Sequence, residues 1–268
     1  MRPGKGLVFI LSFLFLTIIT EAGTLPRKVK VADLFTPSEI KLLKSGEILT
    51  YASMKGKGEA FAGGVSDLLP RKAGSLYDYP STYSVVSVEK VFFRGGYGDS
   101  RKISERITDY PALKGMKYHS LSEGRAKTLI IESSLSGEKK VLQEGNGTLW
   151  VDRFTIMDNR LGTISFRGET WSSRGVVMSW NINTEHVSRF AMKIFEPGDY
   201  RVYKYFVYDR QAGGWFFCSI QLMRVRSDIM KSINLLKPEN MCNRIRGETV
   251  HILRLLGHNR MEDMAAFR

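Results

Sequence analysis

The chain has few cysteines and prolines, and it carries none of the motifs that mark the common catalytic classes. Its 268 residues include two cysteines and eight prolines. Two cysteines cannot form a disulfide-dense scaffold or a four-cysteine zinc site. With 43% apolar and 25% charged residues, the composition is that of a globular protein and not of a disordered or collagen-like one. The length suits one large domain or two small ones.

Histidines are also few, and none has the spacing of a catalytic metal site. They are His119, His186, His251 and His258. No HExxH pair occurs, and a catalytic metal needs about three converging ligands. The G-x-S-x-G nucleophile elbow is missing, and residues 136–139 match S-x-x-K without its companion motifs. We therefore predict no metal, no cofactor and no catalytic residue. A hydrolase or cyclase-like enzyme stays a third hypothesis, which needs titratable side chains that converge inside a pocket.

The N-terminal segment has the layout of a secretory signal peptide. Arg2 and Lys5 precede an apolar run at 7–19, and small residues suit cleavage after Ala22. The run is shorter than the roughly 20 residues that a spanning helix needs. We predict a signal peptide at 1–22, a single domain at 23–258, a frayed tail at 259–268 and a periplasmic or secreted location. The alternative is a membrane anchor through residues 7–19.

The basic excess is the most unusual feature of the composition. Forty Lys and Arg residues stand against 27 Asp and Glu, which gives a formal net charge of +13. Such an excess indicates an anionic partner without identifying it. Basic residues are dispersed and no nucleic-acid-binding motif occurs, so no nucleic acid is expected. For an exported protein, the surface of an anionic membrane is the natural partner.

The predicted export changes the interpretation of the two cysteines. Cys218 lies in an apolar, strand-like run and Cys242 in a later helical pattern. In an oxidising compartment they are candidates for a disulfide that ties the helix to the sheet. Two buried free thiols are the alternative.

The patterning predicts a helix, a sheet and a closing helix. Thr36, Pro37 and Glu39 form a helix start, and Gly46 can end that helix. A first strand follows at 47–55, and from Tyr83 onward a period of two predicts about eight more strands. Their close spacing leaves no room for crossover helices, so the sheet should be antiparallel. An apolar stripe then predicts a helix that begins near residue 238 and ends near 257.

This order of elements resembles the START-like helix-grip superfamily. The stretch at 46–49, the pair of runs at 200–206 and 213–222, and the closing helix at 232–256 carry the resemblance. The chain also resembles exported bacterial proteins of uncharacterised function. The fold class predicted is α+β: a curved antiparallel sheet of about eight or nine strands, with a short N-terminal helix and a long C-terminal helix packed on it. A lipocalin-like β-barrel with a C-terminal helix is the alternative.

The resemblance implies a hydrophobic cavity between the sheet and the closing helix, where members of the superfamily bind lipids or other apolar molecules. The candidates for the sheet wall are Trp180, Phe190, Met192, Phe206 and Phe217. The candidates for the lid are Met241, Ile245 and Ile252. The alternative for all eight is a solid core. The first functional hypothesis is an exported, non-catalytic protein that binds a lipid or other apolar ligand. The second is a structural or interaction protein of the envelope, with a solid core and a basic surface that faces the membrane.

Overall fold

A computed structural model describes residues 29–54, 83–121, 123–189, 192–226 and 237–258. The predicted signal peptide and tail lie outside these residues. The α-helices are α1 (Val31–Leu34), α2 (Pro37–Lys44), α3 (Ser100–Ile107) and α4 (Pro238–Leu255). Short 3₁₀ turns occur at Tyr97–Asp99 and Tyr110–Leu113.

The strands of the first half are β1 (Leu49–Met54), β2 (Val85–Arg94), β3 (Lys117–Ser120), β4 (Arg125–Thr128), β5 (Ile130–Leu135) and β6 (Lys140–Glu144). Those of the second half are β7 (Gly147–Asp158), β8 (Gly162–Ser173), β9 (Val176–Asn183), β10 (Val187–Arg189), β11 (Met192–Phe195), β12 (Tyr200–Asp209) and β13 (Gly214–Met223).

The predicted first helix is confirmed together with its cap. The Thr36 side chain accepts a hydrogen bond from the Glu39 amide at 3.3 Å, and the Glu39 carboxylate accepts one from the Thr36 amide at 2.8 Å. This reciprocal capping box satisfies two amides that a helix start otherwise leaves unpaired. Gly46 then takes a φ of 95°, which lets the chain turn out of the helix into β1.

Nine antiparallel strands form one open sheet. The strand order is β1-β2-β13-β12-β9-β8-β7-β5, and β6 pairs with the first half of β7 beside β5. The predicted α+β class and the strand number are therefore confirmed. The alternative of a closed β-barrel is wrong, because β1 forms one edge of the sheet and β5 and β6 form the other.

The alternation predicts one strand at 126–134 and one at 186–195, but each stretch is divided into two strands. The run at 126–134 contains β4, which pairs with β3 in a separate hairpin, and β5, which joins the large sheet. The change occurs at Leu129, whose amide bonds to the Met116 carbonyl at 2.6 Å. The run at 186–195 likewise contains β10 and β11, which pair with each other in a separate two-stranded sheet. Period-two patterning does not reveal these divisions, because both pieces keep the same alternation.

The two faces of the sheet are covered by different elements. One face packs against Leu34, Phe35 and Leu43 of the N-terminal α1–α2 segment and is called the N-terminal face. The opposite face packs against α4 and α3, with Ile252 and Ile103 in its core, and is called the helix face. Because side chains alternate along a strand, neighbouring residues of β12 and β13 belong to different cores.

The closing helix is confirmed from Pro238 to Leu255, with Gly257 beyond it at a φ of 91°. Gly247 lies in its interior, where a helix normally disfavours glycine. A Cβ at this position would stand 2.5 Å from the Lys117 carbonyl oxygen, so the glycine lets α4 approach the β3–β4 hairpin closely. Among the described residues, no helix combines the length and the apolar character needed to cross a membrane.

Candidate functional site in the cleft between sheet and closing helix

A small cavity lies between the helix face of the sheet, α4 and the 3₁₀ turn Tyr110–Leu113. Its volume is about 50 Å³. The apolar lining consists of Tyr110, Leu113, Met116, Leu129, Ile130, Phe154, Ile156, Phe166, Tyr200 and Val202. The polar lining consists of Asp158, Asn181, Lys204, Gln221, Arg244 and Glu248.

Four aromatic rings form one wall of this cavity. Tyr110 stacks on Phe154 with ring centroids 3.7 Å apart, and Phe154 stacks on Phe166 at 5.1 Å. Tyr200 meets Phe166 edge-on at 5.4 Å. Contacts between aromatic rings contribute stabilisation beyond their buried area, so the four rings support one another in the wall.

The charged groups of the lining are paired with each other. Lys204 Nζ lies 2.7 Å from Glu248 Oε1, and Gln221 donates to the other Glu248 oxygen at 2.7 Å. Arg244 contacts Asp158, whose second oxygen accepts two backbone amides after β7. Both pairs join α4 to the sheet. Each cation is neutralised inside the protein, so the cavity offers no unpaired positive charge.

A second group of polar side chains surrounds Gly168 of β8. Asp152 and Asn181 flank Gly168 on the neighbouring strands β7 and β9. The Tyr110 hydroxyl lies over this glycine and donates to Asp152 Oδ2 at 3.4 Å. Burial raises the pKa of Asp152, and the nearby Lys139 and the Tyr110 hydroxyl oppose that rise. Burial and the Asp152 carboxylate raise the pKa of Tyr110, so its phenol stays protonated. In the described part of the chain, neither Asp152 Oδ1 nor Asn181 Oδ1 has a hydrogen-bond partner.

Another buried carboxylate lies on the helix face, on strand β2. Glu89 of β2 is fully buried, and its Oε2 accepts a hydrogen bond from the Thr50 hydroxyl at 2.8 Å. Arg246 Nε lies 3.6 Å from the same oxygen. Burial raises the pKa of Glu89 to about 7, although Arg246 and the hydrogen bonds lower it.

The structure places the predicted wall and lid residues in several locations. Phe206 and Phe217 stack at 4.4 Å, and they share a packed cluster with Ile252. Met241 belongs to a second cluster, against which Met192 packs. Ile245 is fully buried on α4.

Trp180 and Phe190 are the two remaining wall candidates. Trp180 lies on the N-terminal face, where its ring nitrogen donates to Glu169 at 3.2 Å. It cannot share a wall with Phe206, because the two side chains point to opposite faces of the sheet. Phe190 lies outside the described residues. None of the other seven belongs to the lining of the cavity described above.

Both cysteines are free thiols. Cys218 points to the N-terminal face of β13, whereas Cys242 is on α4, which covers the opposite face. The sheet therefore separates the two sulfur atoms in this structure, which favours the alternative of two free thiols. Burial raises the pKa of Cys218 to about 12, so this thiol is not a nucleophile near neutral pH.

Sequence reasoning missed the residues that line the cavity. A signal for them existed: Asn181, Lys204 and Gln221 are polar residues at positions of β9, β12 and β13 that alternate with a buried apolar face. Titratable side chains do converge here, as an enzyme would require, but they are engaged in ion pairs. No group of three or more His, Cys, Asp or Glu side chains among the described residues could hold a metal ion.

Comparison with known proteins does not assign the chain to a family. No protein-family model matches the chain, and no curated protein matches it significantly. The functional argument therefore depends on the cleft itself.

Proposed function

We propose that the protein is an exported, non-catalytic binding protein for a small and mainly apolar ligand, held between the sheet and α4. The cavity lining carries this proposal: a wall of aromatic and aliphatic side chains with a small number of polar groups is typical of small-molecule sites.

The pairing of charges narrows the class of ligand. An anionic headgroup needs a free cation in the site, but Glu248 and Asp158 already neutralise Lys204 and Arg244. Separating either buried pair would leave a charge without compensation, which costs about 3–5 kcal/mol. We therefore expect a neutral molecule to bind in preference to a carboxylate such as a fatty acid.

The size of the cavity narrows the class of ligand further. A volume of about 50 Å³ holds only a few non-hydrogen atoms, whereas an apolar cavity known to bind benzene measures about 150 Å³. A larger ligand must displace part of the lining. Met116 is the best suited to move, because its unbranched thioether side chain adapts to irregular spaces.

Two fluorinated probes test this function in the full-length protein. Fluorine NMR titration should show that fluorobenzene binds more tightly than 4-fluorobenzoate, and native mass spectrometry of freshly purified protein should show a bound neutral molecule. Val202→Phe fills the cavity and should abolish probe binding. Val207→Phe, on the same strand but the opposite face, is the matched control and should retain it. If neither probe binds and no molecule co-purifies, the proposed function is incorrect.

A further inference from the structure

One edge of the sheet has an unusual concentration of exposed apolar side chains. Of the eight large hydrophobic residues that are well exposed among the described residues, five lie on β5, β6 and β7. They are Ile131, Leu135, Val141, Leu142 and Met157. Single exposed hydrophobic residues are common on soluble proteins, but clusters mark interaction surfaces.

An open groove runs beside this edge on the helix face, between α3 and the β5–β6 connection. Its volume is about 480 Å³, far larger than that of the buried cavity. Leu135 and Lys139 line it from the β5–β6 side, and Lys102 and Arg106 line it from α3. The register places Leu135 opposite Phe154 and Val141 opposite Trp150, so both apolar side chains lie on the same side of the sheet as the groove.

The charges of the groove favour an anion. Three cations line it against two carboxylates, Glu105 and Asp109. Glu105 is already paired with Arg101 at 2.8 Å. Lys139 is held at the groove by its hydrogen bond to the Thr108 hydroxyl at 2.6 Å, and Lys102 by one to the Leu256 carbonyl at 3.3 Å. Both partners are neutral oxygens, so neither bond is an ion pair, and the only carboxylate seen to act on Lys139 among the described residues is the buried Asp152 behind it.

We propose that this edge docks on an anionic membrane surface, with a lipid phosphate in the groove among Lys102, Arg106 and Lys139, and with Leu135 and Val141 in the interfacial layer of the bilayer. Cations beside exposed aliphatic residues match the two chemistries that a phospholipid presents at this depth. The net charge of +13 adds attraction at longer range. This surface is separate from the buried cavity, so the proposal does not depend on ligand binding there.

Flotation with vesicles tests the proposal on the full chain. Vesicles of phosphatidylcholine with one quarter phosphatidylglycerol should bind the protein, pure phosphatidylcholine vesicles should bind it much less, and binding should weaken as salt rises. Arg106→Gln and Lys139→Gln should each reduce the partition coefficient about fivefold. The double variant Leu135→Ser and Val141→Ser should reduce it at least tenfold, because two apolar side chains leave the interface.

Matched controls are available elsewhere on the surface. Leu121→Ser removes an apolar side chain that is 50% exposed, and Lys44→Gln removes an exposed cation of α2, both outside the groove lining. Each should leave binding unchanged. The proposal is overturned if the protein ignores anionic vesicles, or if the control variants weaken binding as much as the groove variants. Loss of binding only in the cation variants would also overturn it, since insertion of Leu135 and Val141 would then contribute nothing.

Discussion

Two buried carboxylates show how single residues shape this protein. Glu89 is fully enclosed on the helix face of β2, with Arg246 as its nearest cation. Glu39 lies on the other side of the sheet, where its Oε1 accepts a hydrogen bond from Lys90 Nζ at 2.8 Å. Glu89 makes the free energy of unfolding depend on pH, whereas Glu39 ties the α1–α2 segment to the sheet through Lys90.

Glu89→Gln should change how stability depends on pH. Because the pKa of Glu89 is raised from 4.5 to about 7, the folded protein keeps a proton that the unfolded chain releases. The contribution of Glu89 to the free energy of unfolding therefore falls as pH rises from about 4.5 to about 7, by about 3 kcal/mol in total. Urea unfolding at pH 5 and pH 8 should show the variant gaining stability relative to the wild type at the higher pH.

The matched control for this measurement is Glu105→Gln. Glu105 is an exposed residue of α3 in a surface pair with Arg101, so its substitution should alter stability little at either pH. If the difference between the wild type and Glu89→Gln is the same at both pH values, the carboxyl does not titrate as described.

Lys90→Met should destabilise the fold by about 3–5 kcal/mol. The substitution removes the cation that pairs with Glu39 and that also donates to the Leu34 carbonyl at 3.0 Å. Adding Glu39→Gln should restore part of the loss, because the uncompensated charge disappears. Thermal and urea unfolding of Lys90→Met and of the double variant measure the loss of stability and its partial recovery. Lys114→Met breaks an exposed pair with Glu132 and should cost less than 1 kcal/mol.

At the scale of elements, α4 depends on one close contact as well as on its apolar stripe. The apolar face of α4 could be predicted from the spacing of Met241, Ile245 and Ile252, and all three are buried. The contact of α4 with the β3–β4 hairpin could not be predicted, because the partner strand is more than a hundred residues away in the chain. Local patterns report which side of an element is apolar, but not what covers it.

Gly247→Ala should therefore destabilise the protein, although alanine favours helices by about 1 kcal/mol over glycine. The added Cβ would meet the Lys117 carbonyl oxygen, a backbone atom that cannot rotate away. We expect a net loss of about 1–3 kcal/mol in urea unfolding. Arg254→Ala, an exposed change in the same helix, should stay within about 0.5 kcal/mol. Increased stability of Gly247→Ala would show that α4 can move away from the hairpin.

At the scale of the whole molecule, the sheet has a protected centre and exposed edges. β13 lies between β2 and β12, and every one of its residues is buried. β6 is short and mostly exposed at an edge of the sheet, and β4 belongs to a side hairpin. An open sheet of this kind leaves edge groups that a closed barrel would pair.

Hydrogen exchange should follow this arrangement. Amides of β12 and β13 should exchange most slowly, through global unfolding, and those of β4, β6 and β10 should exchange fastest, through local opening. Exchange followed by mass spectrometry resolves these segments. Protection of β6 equal to that of β13 would contradict the assignment of an unpaired edge.

The sequence by itself determined the α+β class, the antiparallel pairing, the capped first helix and the extent of the closing helix. Each of these depends on local periodicity, on cap residues or on short connections, and all are properties of neighbouring residues. The family resemblance stays a prediction, as do export and the signal peptide.

Only the tertiary structure decided which face each strand residue occupies and what lies against it. Trp180 and Phe206 belong to similar apolar runs, yet the pleat of the strands places their side chains in cores on opposite faces of the sheet. The same alternation turns Cys218 away from α4, where Cys242 lies, and brings Asn181, Lys204 and Gln221 to one cavity. A register change of one residue reverses every side chain of a strand, so the composition of the cleft depends on pairing between distant segments.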